Sequence, residues 1–238
     1  IGMSALARFY LSKGIPVGGY DKVCSPLTES LVKEGATISY SEELSEIPAS
    51  FKNVKTTFIV YTPAIPSNHQ GYNYFKNNGF NIVKRSALLG LLTDDLFTIG
   101  VAGTHGKTTT SSIITHVLDN SGFPVNAFLG GISSNLNSNF LINEKAETVV
   151  VEADEYDRSF LTLAPNIAIV TSMDADHLDV YGEHSYLTES FEKYVSKLPS
   201  DGILIKRKGL SVNHSNTIEY AVNEKADYYD TNINIENG

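Results

Sequence analysis

Phe97-Thr98-Ile99-Gly100-Val101-Ala102-Gly103-Thr104-His105-Gly106-Lys107-Thr108-Thr109-Thr110 decides how this chain is read. Its first six residues are largely apolar, with β-branched members, and read as a buried strand. The glycines that follow let the backbone turn sharply and aim several N–H groups at one anion. A helix expected from about Thr108 to Ser121 adds the partial positive charge of its N-terminus. Strand, glycine loop and helix in that order are the setting of a phosphate-binding loop. Gly103, Thr104, His105, Gly106, Lys107, Thr108 and Thr109 are then the candidate residues for binding the phosphates of a nucleotide. Lys107 would reach the β- and γ-phosphates, and the Thr108 hydroxyl would hold Mg²⁺, which prefers hard oxygen ligands. The general pattern G-x-x-x-x-G-K-[ST] is not met, because Val101 stands five residues before Gly106. A glycine turn with an incidental lysine is the plainer alternative. The lysine, the threonine and both flanking elements falling in place together favour the phosphate loop.

Two more apolar runs end in polar clusters. Val149-Val150-Val151 leads into Glu152-Ala153-Asp154-Glu155-Tyr156-Asp157, and Ile167-Ala168-Ile169-Val170 leads into Thr171-Ser172-Met173-Asp174-Ala175-Asp176-His177-Leu178-Asp179. Both runs read as strands buried on two faces, as in a parallel sheet. Ligands of open α/β sheets bind at the carboxyl ends of the strands, so three distant segments are expected to converge there. Mg²⁺ on a nucleotide takes only one or two protein carboxylates, and Glu152, first past its strand, is the leading candidate. His177 would serve a second metal ion or orient a phosphate, although imidazole suits softer metals better. Alone, the acidic cluster reads equally well as a solvated helix start, and His177 as an ordinary loop histidine. Their place beside a phosphate loop argues for function.

The segment before this unit alternates helix-like and strand-like stretches. Helices are expected over Met3–Lys13, Ser25–Glu34, His69–Asn78 and Ser86–Leu92, the last capped by Ser86. Strands are expected over Ile15–Tyr20, Thr37–Tyr40, Thr56–Tyr61 and Asn81–Lys84. Further strands are expected over Val125–Leu129, Thr148–Glu152, Ile167–Ser172 and Ile203–Lys206, with a helix over Ser185–Lys197. Asn135–Asn139 reads as a loop. Alternation of this kind gives parallel sheets with helical crossovers. The polar stretch Thr93–Asp95 punctuates it. The fold expected is α/β: a Rossmann-like N-terminal domain over 1–95, then a P-loop-type ATPase domain with a mainly parallel sheet over 96–238.

Bulk properties narrow the class. A chain of 238 residues with 42% apolar and 19% charged residues is an ordinary globular protein of one large or two medium domains. No run approaches the roughly 18 apolar residues of a membrane span, and no secretory leader is recognisable. Cys24 is the single cysteine, so neither a disulfide framework nor a cysteine zinc site is available. These features fit a cytoplasmic protein. A net charge of −9 without a basic stripe argues against nucleic-acid binding. The chain opens at Ile1 and reaches Gly238 without a closing element, which reads as a fragment.

Taken together the motifs resemble those of the Mur ligases. Ala102–Thr110 resembles the A-G-T-x-G-K-T-T signature of that family, and His105 matches its alanine-adding branch. Glu152-Ala153-Asp154-Glu155-Tyr156-Asp157-x-Ser159-Phe160-Leu161 resembles E-A-D-E-x-D-x-S-F-L, and Asp176-His177-Leu178-Asp179-x-Tyr181 resembles D-H-x-D-x-Y. Ile1-Gly2-Met3-Ser4 looks like the tail of a glycine-rich turn whose leading strand is missing. Thr62-Pro63-Ala64-Ile65 and Lys84-Arg85-Ser86 sit where the family's UDP-sugar domain has S-x-A-I and R-R-A. The resemblance covers essentially the whole chain. It implies that Gly2, Ala64 and Arg85 bind the UDP-sugar. It also implies that Lys107, Glu152 and His177 are catalytic, and that Thr108, Glu152 and His177 hold metal. The implied reaction joins L-alanine to UDP-N-acetylmuramic acid, using ATP and Mg²⁺, through an acyl phosphate. The family's third domain, which helps bind adenine and the amino acid, has no counterpart here, so this stretch alone is expected to be inactive. Phe191 stands where several relatives carry a carbamylated lysine, so no carbamate is assigned to nearby Lys193.

Three alternatives stand beside this reading. A recycling ligase that attaches a tripeptide to the same nucleotide shares the phosphate loop and E-A-D-E-Y-D, but the wording around Ser159-Phe160-Leu161 and Asp174-Ala175-Asp176-His177 favours the alanine enzyme. A dinucleotide dehydrogenase would use Asp21 as its ribose acid, yet needs no Lys107-Thr108 pair. A non-enzymatic module would hold UDP-sugar and nucleotide without turnover. No motif speaks to oligomeric state.

Overall fold

The structure, a computed structural model, describes residues 2–155, 158–174, 184–231 and 233. The chain divides into two compact units, Ile1–Leu91 and Leu92–Gly238.

The first unit alternates helix and strand: α1 (Gly2–Ser12), β1 (Gly18–Tyr20), α2 (Pro26–Lys33), β2 (Thr37–Ser39), β3 (Phe58–Tyr61), α3 (Gln70–Asn77), β4 (Asn81–Lys84) and α4 (Arg85–Thr93). Local chemistry sets the ends. Ser25 caps α2 by accepting from the Thr28 N–H, while the Thr28 hydroxyl accepts from the Ser25 N–H, a reciprocal capping box. Pro26 at the first helical position costs no intrahelical hydrogen bond. His69 caps α3 through Nδ1, which accepts from the Tyr72 N–H at 3.1 Å. The expected cap Ser86 is instead a buried residue inside α4, which starts one residue earlier at Arg85. The strands pair in parallel as two separate ribbons, β1 with β2 and β3 with β4. Short strands of three or four residues give fewer ladder bonds than the longer ones predicted.

The second unit holds an eight-stranded sheet. Its strands are β5 (Phe97–Ala102), β6 (Val125–Ser133), β7 (Ser138–Leu141), β8 (Thr148–Glu152), β9 (Ile167–Val170), β10 (Ile203–Arg207), β11 (Thr217–Ala221) and β12 (Tyr228–Tyr229), in the order β12-β11-β10-β9-β5-β8-β6-β7. Every pairing is parallel except β6 with β7. That hairpin corrects the expectation of a loop over Asn135–Asn139: Ser138 and Asn139 belong to a strand. Strands β11 and β12, of five and two residues, were not among the strands expected.

Among the described residues two helices cover the sheet, α5 (Lys107–Asn120) and α6 (His184–Val195). Val125, Ala127, Leu129 and Val150 form a buried cluster packed by Ile99, Ile114 and Leu118, the last two from α5. Elsewhere Phe160 stacks on Tyr194 of α6 at 5.0 Å and meets Phe191 edge-on at 5.3 Å. All three rings are fully buried, each side chain contributing roughly 1.5–3 kcal/mol by leaving water. The register matters for the site. Val101 lies opposite Glu152 of β8 and Ile169 of β9, so the carboxyl ends of these three strands are level.

Candidate active site

The level strand ends bring three loops to one edge. The turn after β5 begins at Gly103, with φ +139°, and ends at Gly106, with φ +79°. Both values lie in the positive-φ range that favours glycine. A Cβ at Gly103 would also strike the Thr171 hydroxyl after β9. The loop is sewn to that neighbouring segment. Thr104 N–H donates to Ser172 O at 3.2 Å, and the Thr104 and Ser172 hydroxyls share a bond of 2.9 Å. His105 N–H donates to Ser172 Oγ at 2.8 Å, and Asp174 N–H donates to Thr104 Oγ1 at 3.1 Å. Thr104 is buried by these contacts.

The left-handed Gly106 is the N-cap of α5 and supplies no side-chain acceptor. The first backbone bond of the helix runs from Thr110 N–H to Gly106 O. The N–H groups of Gly106, Lys107, Thr108 and Thr109 therefore have no partner within the helix, and an anion at this end would serve them. Thr109 is exposed on that first turn.

Lys107 lies over the loop with its side chain largely buried. Its Nζ donates to Gly103 O at 2.7 Å and lies 3.0 and 2.9 Å from the two carboxylate oxygens of Glu155. Burial lifts the Glu155 carboxyl above its ordinary range, and Lys107 pulls against that lift. Glu155 follows β8 by three residues, and its side chain is inaccessible to solvent.

Thr108 and Glu152 meet beside it. The Thr108 hydroxyl donates to Glu152 Oε1 at 2.9 Å, and Gly130 N–H donates to Glu152 Oε2 at 2.9 Å. Strand β6 makes this possible by carrying two glycines where it passes the site. A Cβ at Gly130 would collide with the Glu152 carboxylate, and one at Gly131 would press on Thr108 Cγ2 at 2.9 Å. Sequence reasoning ended this strand at Leu129 and missed both glycines. The signal available was a glycine pair continuing an apolar strand, which marks close approach of another group.

The other named residues divide. His105 is exposed, with Nε2 3.8 Å from Asp174 Oδ2. His177 lies outside the described residues, as do Tyr156 and Asp157. In the first unit, Ala64 is exposed in the turn after β3 and Arg85 follows β4, so both stand at the carboxyl edge of that ribbon. Gly2 opens α1 against the Arg85 guanidinium; a Cβ there would overlap Nη1.

The donor set suits a hard cation with a polyphosphate. Thr108 and Glu152 offer oxygen only. Among the described residues no group of three or more histidine, cysteine or acidic side chains forms a closed metal cage. Mg²⁺ needs none, since phosphates and waters complete its shell.

Comparison with known proteins agrees with this architecture. The Mur ligase middle domain matches residues 101–238, and the Mur ligase family catalytic domain matches residues 1–96. The whole chain is 48% identical to the UDP-N-acetylmuramate–L-alanine ligase of Christiangramia forsetii and 49% identical to that of Phocaeicola vulgatus. It spans 52% and 53% of those proteins, about half the length of the curated relatives it matches. Among solved structures, the UDP-N-acetylmuramate–alanine ligase of Thermotoga maritima superposes with a TM-score of 0.81 at 25% identity. That alignment covers 96% of this chain and 51% of the other. The UDP-N-acetylmuramate:L-alanyl-γ-D-glutamyl-meso-diaminopimelate ligase of Neisseria meningitides shares the fold at the same TM-score and 22% identity, over 92% of this chain and 74% of its own. With a domain match over more than half its length, and a glycine- and lysine-bearing loop, acidic strand end and glycine pair gathered at one sheet edge, the chain belongs to the Mur ligase family.

Proposed function

We propose that this chain is the UDP-sugar and ATP-binding part of an ATP-dependent ligase that joins L-alanine to the carboxylate of UDP-N-acetylmuramic acid in peptidoglycan precursor synthesis. The observation that carries the reading is the whole-chain identity of 48–49% to two ligases of that name. The meeting of Thr108 with Glu152 at one end of the phosphate loop supports it.

In this reading the N–H groups at the start of α5 cradle the triphosphate, and Lys107 neutralises charge on the transferring phosphoryl group. Thr108 and Glu152 would hold Mg²⁺, which supplies further charge neutralisation when bound. A muramoyl carboxylate oxygen attacks the γ-phosphorus and ADP leaves. The amine of L-alanine then attacks the acyl carbon, phosphate departs, and the amine gives up its proton. Gly2, Ala64 and Arg85 would contact the UDP-sugar: the guanidinium beside the N-terminus of α1 gives that end of the first unit a concentration of positive charge. His177 would assist at the metal or a phosphate. No described helix is long and apolar enough to cross a membrane, and the reaction would take place in the cytoplasm.

The test is ADP release by the full-length protein. Release should require both UDP-N-acetylmuramic acid and L-alanine, and the tripeptide should not replace L-alanine. Release that proceeds with the tripeptide and not with L-alanine would select the recycling ligase instead.

A further inference from the structure

Lys107 does not wait in solvent for its phosphate. An ammonium has three N–H donors. In this structure one is taken by Gly103 O and the carboxylate of Glu155 lies within 3.0 Å of the same nitrogen. The lysine side chain is 14% exposed and the glutamate 0%, so the pair is a desolvated ion contact in the floor of the loop. Neither the phosphate-loop chemistry nor the proposed metal seat uses Glu155. A carboxylate bonded to the lysine of an anion cradle occupies the place in its coordination that a phosphate oxygen would take.

We propose that Glu155 is a positioning residue for Lys107: its carboxylate is a built-in anion that holds the ammonium over the loop, and an entering phosphate must take the ammonium over. The inference rests on the reading of residues 103–109 as a triphosphate site. Buried carboxylate and phosphate compete for one cation and repel one another at short range in a medium of low dielectric. The carboxylate thus weakens binding of the anion while keeping an otherwise uncompensated buried charge in place.

The test is calorimetric titration of the full-length protein with Mg²⁺ and the non-hydrolysable analogue AMP-PNP. Glu155→Gln, nearly isosteric and uncharged, should bind the analogue about tenfold more tightly than the parent. A carboxylate with a purely structural role would leave affinity unchanged or lower it when removed. Lys107→Met should weaken binding, and adding Glu155→Gln to it should tighten binding less than it does in the parent, because the competition for the ammonium is gone. Equal or weaker binding by Glu155→Gln overturns the proposal, as does undiminished tightening in the Lys107→Met background. A parent that binds no nucleotide overturns the triphosphate reading itself. One measurement needs no variant: with the analogue bound, Lys107 Nζ should contact a phosphate oxygen and no longer lie within hydrogen-bond distance of Glu155. An ammonium still bonded to Glu155 would overturn the takeover.

Discussion

The hydroxyl of Thr108 and the carboxylate of Glu152, 44 residues apart in the chain, meet at 2.9 Å. The contact arises because Glu152 ends β8 level with Val101 of β5, and Thr108 lies in the first turn of the helix that β5 feeds. In the proposed reading these two oxygens would hold the magnesium ion of a bound nucleotide, which would supply charge neutralisation there. Glu152→Gln removes the charge and keeps the shape. It should lower the affinity for Mg²⁺ with ATP by about tenfold or more while leaving metal-free ATP binding nearly unchanged. Titrations with and without Mg²⁺ check this; equal losses in both would show that Glu152 acts on the nucleotide by another route.

Gly130 places that carboxylate. Its N–H fixes Glu152 Oε2, and it leaves no side chain in the way. Gly130→Ala should displace Glu152 and weaken metal-dependent nucleotide binding about as much as Glu152→Gln, with a folded, cooperative melt. If the alanine variant keeps parental metal dependence, the close approach carries no functional weight.

Tyr194 of α6 and Gly100 of β5 form a packing pair. The Tyr194 hydroxyl is buried and has no hydrogen-bond partner among the described residues, and burial pushes its pKa upward. Gly100→Ala would drive a methyl into that hydroxyl and should cost about 1–3 kcal/mol of stability. Tyr194→Phe should raise stability by about 1 kcal/mol and rescue most of the Gly100→Ala loss. Denaturant unfolding of the two single variants and the double variant checks this; single effects that simply add in the double variant would refute the contact.

Arg8 and Glu34 tie α1 to α2 through two bonds of 2.8 and 2.9 Å. Hydrogen bonding from Arg8 holds the Glu34 carboxyl below its ordinary value of 4.5 against the opposing effect of burial. A carboxylate with a lowered folded-state pKa stabilises the fold above its unfolded value, and that contribution is lost as pH falls through the folded value. Arg8→Met should therefore cost roughly 1 kcal/mol near neutrality, a figure kept small by the partial exposure of Glu34. The difference from the parent should shrink as pH drops below 4.5. A gap that is constant from pH 7 to pH 3 would assign the loss to packing.

Much of this was legible in the residues. Val149-Val150-Val151 and Ile167-Ala168-Ile169-Val170 announce themselves as two-faced strands because burial on both sides demands unbroken apolar runs. Gly103, Gly106 and Lys107 stand out because a turn into a helix leaves few other choices. The hairpin of β6 and β7 was hidden, since Asn135, Asn137 and Asn139 carry loop chemistry while backbone pairing, not side chains, makes the strand. Glu155 was read only as part of an acidic cluster. Its burial against Lys107 depends on where the loop after β8 folds back, which no local pattern encodes. Ser86 misled for the opposite reason: a good capping residue adjacent to Arg85 is overridden when the helix begins one residue sooner.

The most direct test of the proposed triphosphate site is a crystal structure of the full-length protein with AMP-PNP and Mn²⁺ in place of Mg²⁺. The account predicts an anomalous peak for the metal between Thr108 Oγ1 and the Glu152 carboxylate, with the triphosphate lying across residues 103–109 at the start of α5. A nucleotide bound elsewhere, or a metal that touches neither residue, would contradict it.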